Sequence, residues 1–158
     1  MPKQDLIARI IARLAADLAQ LTTAALATHA EATDEENKSE DKYDTRGLEA
    51  SYLAHGQSKA AVEVAQAVAQ FQALPIRDFA AGEPISLGAL VVLEGRSQSH
   101  YFVGPRAGGT EIEADGRAVL VITPQSPLGR QLMGRKQGDS LAVGAGGTST
   151  SMRIASVT

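Results

Sequence analysis

Glu31 to Asp44 reads EATDEENKSEDKYD and holds seven of the chain's eighteen acidic residues in fourteen positions. Lys38 and Lys42 bring its net charge only to −5, whereas the whole chain of 158 residues carries −3, so everything outside it sums to +2. The negative charge is therefore local. A stretch with almost nothing apolar has no core to build and reads as a solvated connection. The fold is decided by what it connects.

On its N-terminal side Ile7, Ile11, Leu14, Leu18, Leu21 and Ala25 recur at alternating spacings of four and three, which is a heptad seam. Leu6 and Ile10 widen the stripe and alanines fill much of the remainder, so propensity agrees with pattern. A helix from about Lys3 to Thr28 is about 40 Å long at ~1.5 Å per residue. On the C-terminal side Ala50, Leu53, Gln57, Ala60, Val64, Ala67, Phe71 and Leu74 repeat the rhythm, with Gln57 as the polar intruder. Gly47 and Gly56 each cost about 1 kcal/mol against alanine, which weakens the part of this arm nearest the acids. Pro75 ends it, because the residue before a proline avoids the helical region. Two arms of similar length joined by a short polar segment predict an antiparallel hairpin, or coiled coil, with an acidic tip near 31–44. A parallel coiled-coil dimer is the competing arrangement. The hairpin is preferred because both arms end near one acidic segment and small alanines let antiparallel helices approach closely.

Composition shifts beyond Pro75, and thirteen of the fifteen glycines fall at Gly82 or later. The division predicted is a hairpin over 1–75 and a second domain over 76–158. Ala89–Leu93, His100–Val103, Ala118–Ile122, Leu141–Val143 and Met152–Val157 are rich in Val, Ile and aromatics and separated by Gly, Pro or Asp, which predicts an antiparallel sheet and an α+β protein. One short helix is punctuated within it. Ser126 is placed as N-cap, Pro127 at the first helical position, Leu128 and Leu132 on one face and Gly134 beyond the end. Arg130, Arg135 and Lys136 complement the dipole at its C-terminus. Gly138-Asp139 turns the chain into the next strand.

Composition also excludes. The absence of cysteine rules out disulfides and thiolate metal sites, and 4% aromatics with no Trp leave no base-stacking platform. A sequence pI near 5.6 argues against a general nucleic-acid binder. Asp5, Arg9, Arg13 and Asp17 interrupt the N-terminus too often for a signal peptide, and no run approaches the roughly 20 apolar residues needed to span a bilayer. The expectation is a soluble cytoplasmic protein. His29, His55 and His100 lack ligand spacing. The acidic stretch lacks the central glycine of a calcium loop, and Gly108-Gly109 and Gly144 to Gly147 read as hairpin turns rather than phosphate loops. Arg9 and Arg13 read as a solvated helix face.

Ile122 to Val143, ITPQSPLGRQLMGRKQGDSLAV, resembles the C-terminal signature of the Gre family of bacterial transcription elongation factors. LGALVVLE and YFVGP sit where that family has the first two strands of its domain. The resemblance implies an FKBP-like C-terminal domain with one short helix, carried beside a helical hairpin with an acidic tip. It implies RNA polymerase as the partner, with transcript RNA and DNA reached only through the polymerase complex and no membrane involved. The C-terminal domain would dock on the rim of the secondary channel while the tip reaches the active site. The stretch around Ser126, Pro127 and Leu128, with Gly134 and Gly138 shaping the turns, is the implied anchor. In cleaving members an acidic pair helps hold a second Mg²⁺ beside the polymerase's own aspartates for hydrolysis of backtracked RNA. Such a factor binds no metal in isolation and is an accessory to the polymerase rather than an enzyme.

At the tip the chain departs from the family. Gre cleavage factors carry Asp-x-x-Glu-Asn followed by Tyr, whereas here Asp34-Glu35-Glu36-Asn37 is one residue short and Tyr43 lies six residues after Asn37 rather than three. Alignment on Tyr43 instead puts Glu36 and Ser39 at the acidic positions. Asp34, Glu36, Glu40 and Asp41 stand as the candidate acids with no pair chosen. Two further classes follow from the resemblance: a non-cleaving polymerase-binding regulator of the Rnk type, and a prolyl isomerase suggested by the FKBP-like fold alone. The second would need an aromatic-lined pocket, and this domain offers only Phe79, Tyr101 and Phe102.

Overall fold

The protein is described by a computed structural model over residues 2–33, 46–144, 147 and 149–158. Helix α1 (Lys3–Thr33) is followed by α2 (Arg46–Ala73). α1 runs past the expected Thr28 because Ala30, Glu31 and Ala32 are good helix formers and nothing before Thr33 breaks the turn. α2 takes both Gly47 and Gly56 into its span and stops two residues before Pro75.

Contacts divide the chain into two compact units, Met1–Ile11 with Gln70–Thr158, and Ala12–Ala69. The start of α1 and the end of α2 share the first unit, while the end of α1 and the start of α2 share the second. The helices are therefore the arms of an antiparallel hairpin. In the Ala12–Ala69 unit Leu14, Ala25 and Ala67 are buried, Leu18, Leu21 and Val64 are half-buried, and Leu26 and Val62 remain 65% and 56% exposed. A seam built on alanine shields only a narrow strip.

The other unit is built on six strands, β1 (Leu90–Glu94), β2 (Gln98–Val103), β3 (Glu111–Ala114), β4 (Arg117–Ile122), β5 (Ser140–Val143) and β6 (Thr150–Val157), with the helix α3 (Pro127–Leu132) between β4 and β5. Their order across the sheet is β3-β4-β2-β1-β6-β5. The sheet is mixed rather than wholly antiparallel, because β4 enters between β3 and β2 and runs parallel to β2 in the register His100↔Val119. β3, which composition alone does not suggest, forms a tight hairpin with β4. Asp115 and Gly116 both have positive φ, 52° and 71°, as a two-residue turn matched to strand twist requires.

Alternation gives the sheet two apolar faces. On one, Val91, Leu93, Val103, Ile122 and Ile154 pack with Phe79, Ile85 and Leu132 of α3. On the other lie Phe102, Val119 and Val121, all buried. The first residues of α1 and the last of α2 belong to this unit, and Leu6, Ile7, Ile10 and Phe71 are buried in it. Phe71 stands 6.3 Å from Phe102 between ring centroids. Ile10 is wholly buried here whereas the seam position Ile11 is only half-buried, so the stripe at this end is broader than a coiled-coil seam.

Lys3 is the buried charge of the unit, 8% exposed. Its Nζ donates to the Arg77 carbonyl at 2.6 Å and lies 4.8 Å from the centre of the Phe79 ring. Desolvation pulls its pKa below the usual lysine range, opposed by Asp78. Arg77 also stacks 4.0 Å from the centre of the Phe79 ring and pairs with Glu83 at 2.7 Å. The Ala80 N–H and then Arg77 hold the Glu83 carboxyl below its ordinary value.

Both edge strands receive an arginine. Arg9 of α1 donates a long bond of 3.5 Å to the Glu113 carbonyl of β3, so it is not simply part of a solvated face. Arg135 donates at 3.3 Å to the Ser140 carbonyl of β5. Covering edge carbonyls in this way discourages pairing with another chain. Arg13 instead pairs with Asp17 at 3.4 Å on the exposed surface.

Contrary to expectation, Lys3–Thr28 of α1 is long and apolar enough to cross a membrane by length and composition, its most apolar 18-residue window reaching a mean hydropathy of 1.3. Alanine supplies much of that apolarity. Of its large apolar side chains Leu6, Ile7, Ile10 and Leu14 are buried within the protein, Ile11, Leu18 and Leu21 are half-buried, and Leu26 is exposed.

Candidate partner-binding site

α3 and the turns around it carry the described candidate residues. Ser126 is extended, with φ −65° and ψ 157°, and its hydroxyl accepts from the Gly129 N–H at 3.1 Å, the N-cap bond that the sequence predicts. The same hydroxyl donates to the Thr123 carbonyl at 2.7 Å, and the Ser126 N–H reaches that carbonyl at 3.0 Å. The junction is thus pinned to the end of β4 by one residue. Pro127 occupies the first helical position and is exposed, Leu128 is half-buried, and Leu132 is buried in the core. Arg130 and Gln131 are exposed beside them.

The far end of α3 is fastened differently. Gly134 has φ 81°, and its N–H donates to the Ile85 carbonyl at 2.9 Å while the Ile85 N–H donates to the Arg135 carbonyl at 2.7 Å. Arg135 Nε donates at 2.8 Å to the Gln131 carbonyl, one of the acceptors left open at a helix end. Gly138, with φ 94°, sits third in the turn Lys136–Asp139, closed by Asp139 N to Lys136 O at 3.1 Å and Lys136 N to Asp139 Oδ2 at 2.9 Å. Ser126, Pro127 and Leu128 are therefore brought together at one end of α3, whereas Gly134 and Gly138 act on backbone geometry beyond its other end. Sequence reasoning missed Gly129, where a Cβ would come within 1.8 Å of the Thr123 carbonyl oxygen. The only signal was a glycine inside a helix, which reads as a cost until the tertiary neighbour is seen.

Asp34, Glu36, Glu40 and Asp41 lie outside the described residues. Among the described residues no group of three or more His, Asp or Glu stands together as a metal site.

Residues 84–158 match the family described as "Transcription elongation factor, GreA/GreB, C-term". Comparison with curated proteins finds no match. Among solved structures the chain is similar to "Structure of the transcription factor Gfh1", at 22% identity over 93% of this chain and 92% of that one with a TM-score of 0.41. It is similar to the Gfh1 protein of Thermus thermophilus at 20% identity over 94% of each chain, TM-score 0.39. It is also similar to a GreA/GreB factor from Nitrosomonas europaea at 20% identity over 74% of this chain and 95% of that one, TM-score 0.38. The family match alone spans β1 to β6 and the whole α3 junction. By that match, residues 84–158 of this chain are similar to the C-terminal domain of GreA/GreB transcription elongation factors.

Proposed function

We propose that the protein binds RNA polymerase through the α3 junction and presents the acidic connection between α1 and α2 in the secondary channel, where it stimulates the polymerase's own cleavage of backtracked RNA. The observation that carries this reading is the family match over residues 84–158, which contains the pinned and partly exposed Ser126-Pro127-Leu128 stretch. On this reading the protein works in the cytoplasm as an accessory factor, and nucleic acid is met only inside the polymerase complex.

Asp34, Glu36, Glu40 and Asp41 offer the hard oxygen donors that Mg²⁺ prefers, and carboxylates on one connection complete a site better than they make one. Such an ion, shared with the polymerase, would supply charge stabilisation for in-line displacement at phosphorus. Changing the four acids to Asn or Gln is expected to abolish stimulated RNA release from backtracked complexes while polymerase binding persists. A fully neutralised connection that still stimulates release would overturn the assignment.

The second reading is a polymerase-binding regulator that does not promote cleavage. The spacing between Asn37 and Tyr43 favours it, because neither the register set by Asp34 to Asn37 nor the one set by Tyr43 preserves both family acids. Wild-type protein that binds polymerase without stimulating RNA release would decide for it.

A further inference from the structure

A cleft of about 360 Å³ opens beside the second face of the sheet, within the unit formed by Met1–Ile11 and Gln70–Thr158. Its volume lies within the range of small-molecule sites, roughly 300 to 1,000 Å³. Strand register builds the floor: Val92 stands opposite His100 and His100 beside Val119, so an imidazole lies between two valines, with Leu90 also lining the cleft. Arg117, two residues before Val119, falls on the same face.

The charges around the cleft are unevenly committed. Lys3 is buried and donates to the Arg77 carbonyl, and Asp78 is the compensating charge that acts on it most strongly. Asp115 has an interaction of its own. Arg117, by contrast, makes no hydrogen bond or ion pair among the described residues, yet it lines the cleft and acts on His100. His100 is half-buried; desolvation first and Arg117 second lower its pKa below the ordinary value, keeping the imidazole neutral at pH 7.

We propose that this cleft binds a small organic oxyanion with an apolar body, its carboxylate or phosphate held by the Arg117 guanidinium and its body resting on Leu90, Val92 and Val119. A guanidinium fork matches the paired oxygens of either head group. An apolar floor favours a ligand with a hydrocarbon ring or chain over the bare ion. His100 lies where it responds to the bound charge. A nearby anion favours imidazolium, so its pKa rises on binding and affinity increases as pH falls through the imidazole range. Lys3, Asp78, Asp115 and Arg117 are the other charged groups lining the cleft. The site is independent of the α3 junction and the acidic connection, so it stands or falls without polymerase.

The test is an NMR titration of the full chain with benzoate and phenyl phosphate, set against benzamide and inorganic phosphate. Saturable shifts at Val92, His100 and Val119 are expected with the first pair, and their relative affinities identify the preferred head group. Benzamide and inorganic phosphate should bind about tenfold or more weakly, and Arg117→Gln should cost a similar factor. Arg117 is exposed, so the variant's unchanged melting temperature serves as the folding control. Ligand should raise the apparent pKa of His100. Absence of saturable shifts, benzamide binding equal to benzoate, or titration unaffected by Arg117→Gln would each overturn the proposal.

Discussion

At the scale of single residues, the hydroxyl of Ser126 is spent inside the chain, donating to Thr123 and accepting from Gly129. It holds the junction in shape, while the neighbouring Pro127 presents the exposed surface. The two substitutions should therefore separate. Ser126→Ala is expected to cost about 1 kcal/mol, within the usual range of about 0.5 to 2 for a lost N-cap, read as a lower melting temperature. Pro127→Ala should leave the melt almost unchanged and weaken polymerase capture; equal melts for both would show that the N-cap bond contributes nothing. His100 gives a pH signature. Its folded pKa lies below its unfolded value near 6.5, so the unfolded chain takes up the proton first as pH falls. Stability is complete above the unfolded value and declines as pH drops through 6.5 and then through the lowered folded value. Melting temperatures should fall less steeply in that window for His100→Gln than for the wild type, and parallel curves would refute the assignment.

Among the elements, α3 is the most legible from sequence, because Ser126, Pro127 and Gly134 act through local backbone rules that hold whatever surrounds them. β3 was illegible for the opposite reason. Glu111-Ile112-Glu113-Ala114 alternates as an edge strand should, but with two acids and one strongly apolar side chain its composition says loop. The Asp115-Gly116 turn was the available signal. The parallel pairing of β2 with β4 is a matter of which strand enters between which, and no residue type encodes that directly. Of the candidate site, the capped junction could be read from the chain, while Gly129 depends on how the chain folds back from Thr123, and the edge contact of Arg9 depends on Glu113, far away in sequence. The turn after α3 offers a clean test. Gly138→Ala places a Cβ at φ 94° and should cost about 1 to 2 kcal/mol, with the strain confined to the entry of β5. Amide exchange that quickens at Ser140–Val143 more than at β1 and β2 would locate it there; uniform change would not.

For the molecule as a whole, the compositional break at Pro75 and the division of contacts differ. A fragment covering 76–158 would lack Leu6, Ile7, Ile10 and Phe71, all buried in the same unit as the sheet, and would lose Arg9 from the edge of β3. Such a fragment should self-associate and melt without a cooperative transition. Residues 1–11 joined through a short flexible linker to 70–158 should restore a monomer with a single transition, as sedimentation and calorimetry would show. Cooperative melting of 76–158 as a monomer would mean that the terminal helix segments contribute little. The discontinuity of that unit has a consequence during synthesis. Lys3–Ile11 leave the ribosome well ahead of Gln70–Thr158, the stretch that carries strand β6 and with which they share a unit. At about 5 to 20 residues per second the interval is on the order of ten seconds. The Ala12–Ala69 unit has its full sequence well before then, whereas Leu6, Ile7 and Ile10 wait uncovered for a sheet not yet translated. The order in which the ribosome delivers the chain, more than the stability finally reached, sets how long the newborn protein exposes that patch to its neighbours.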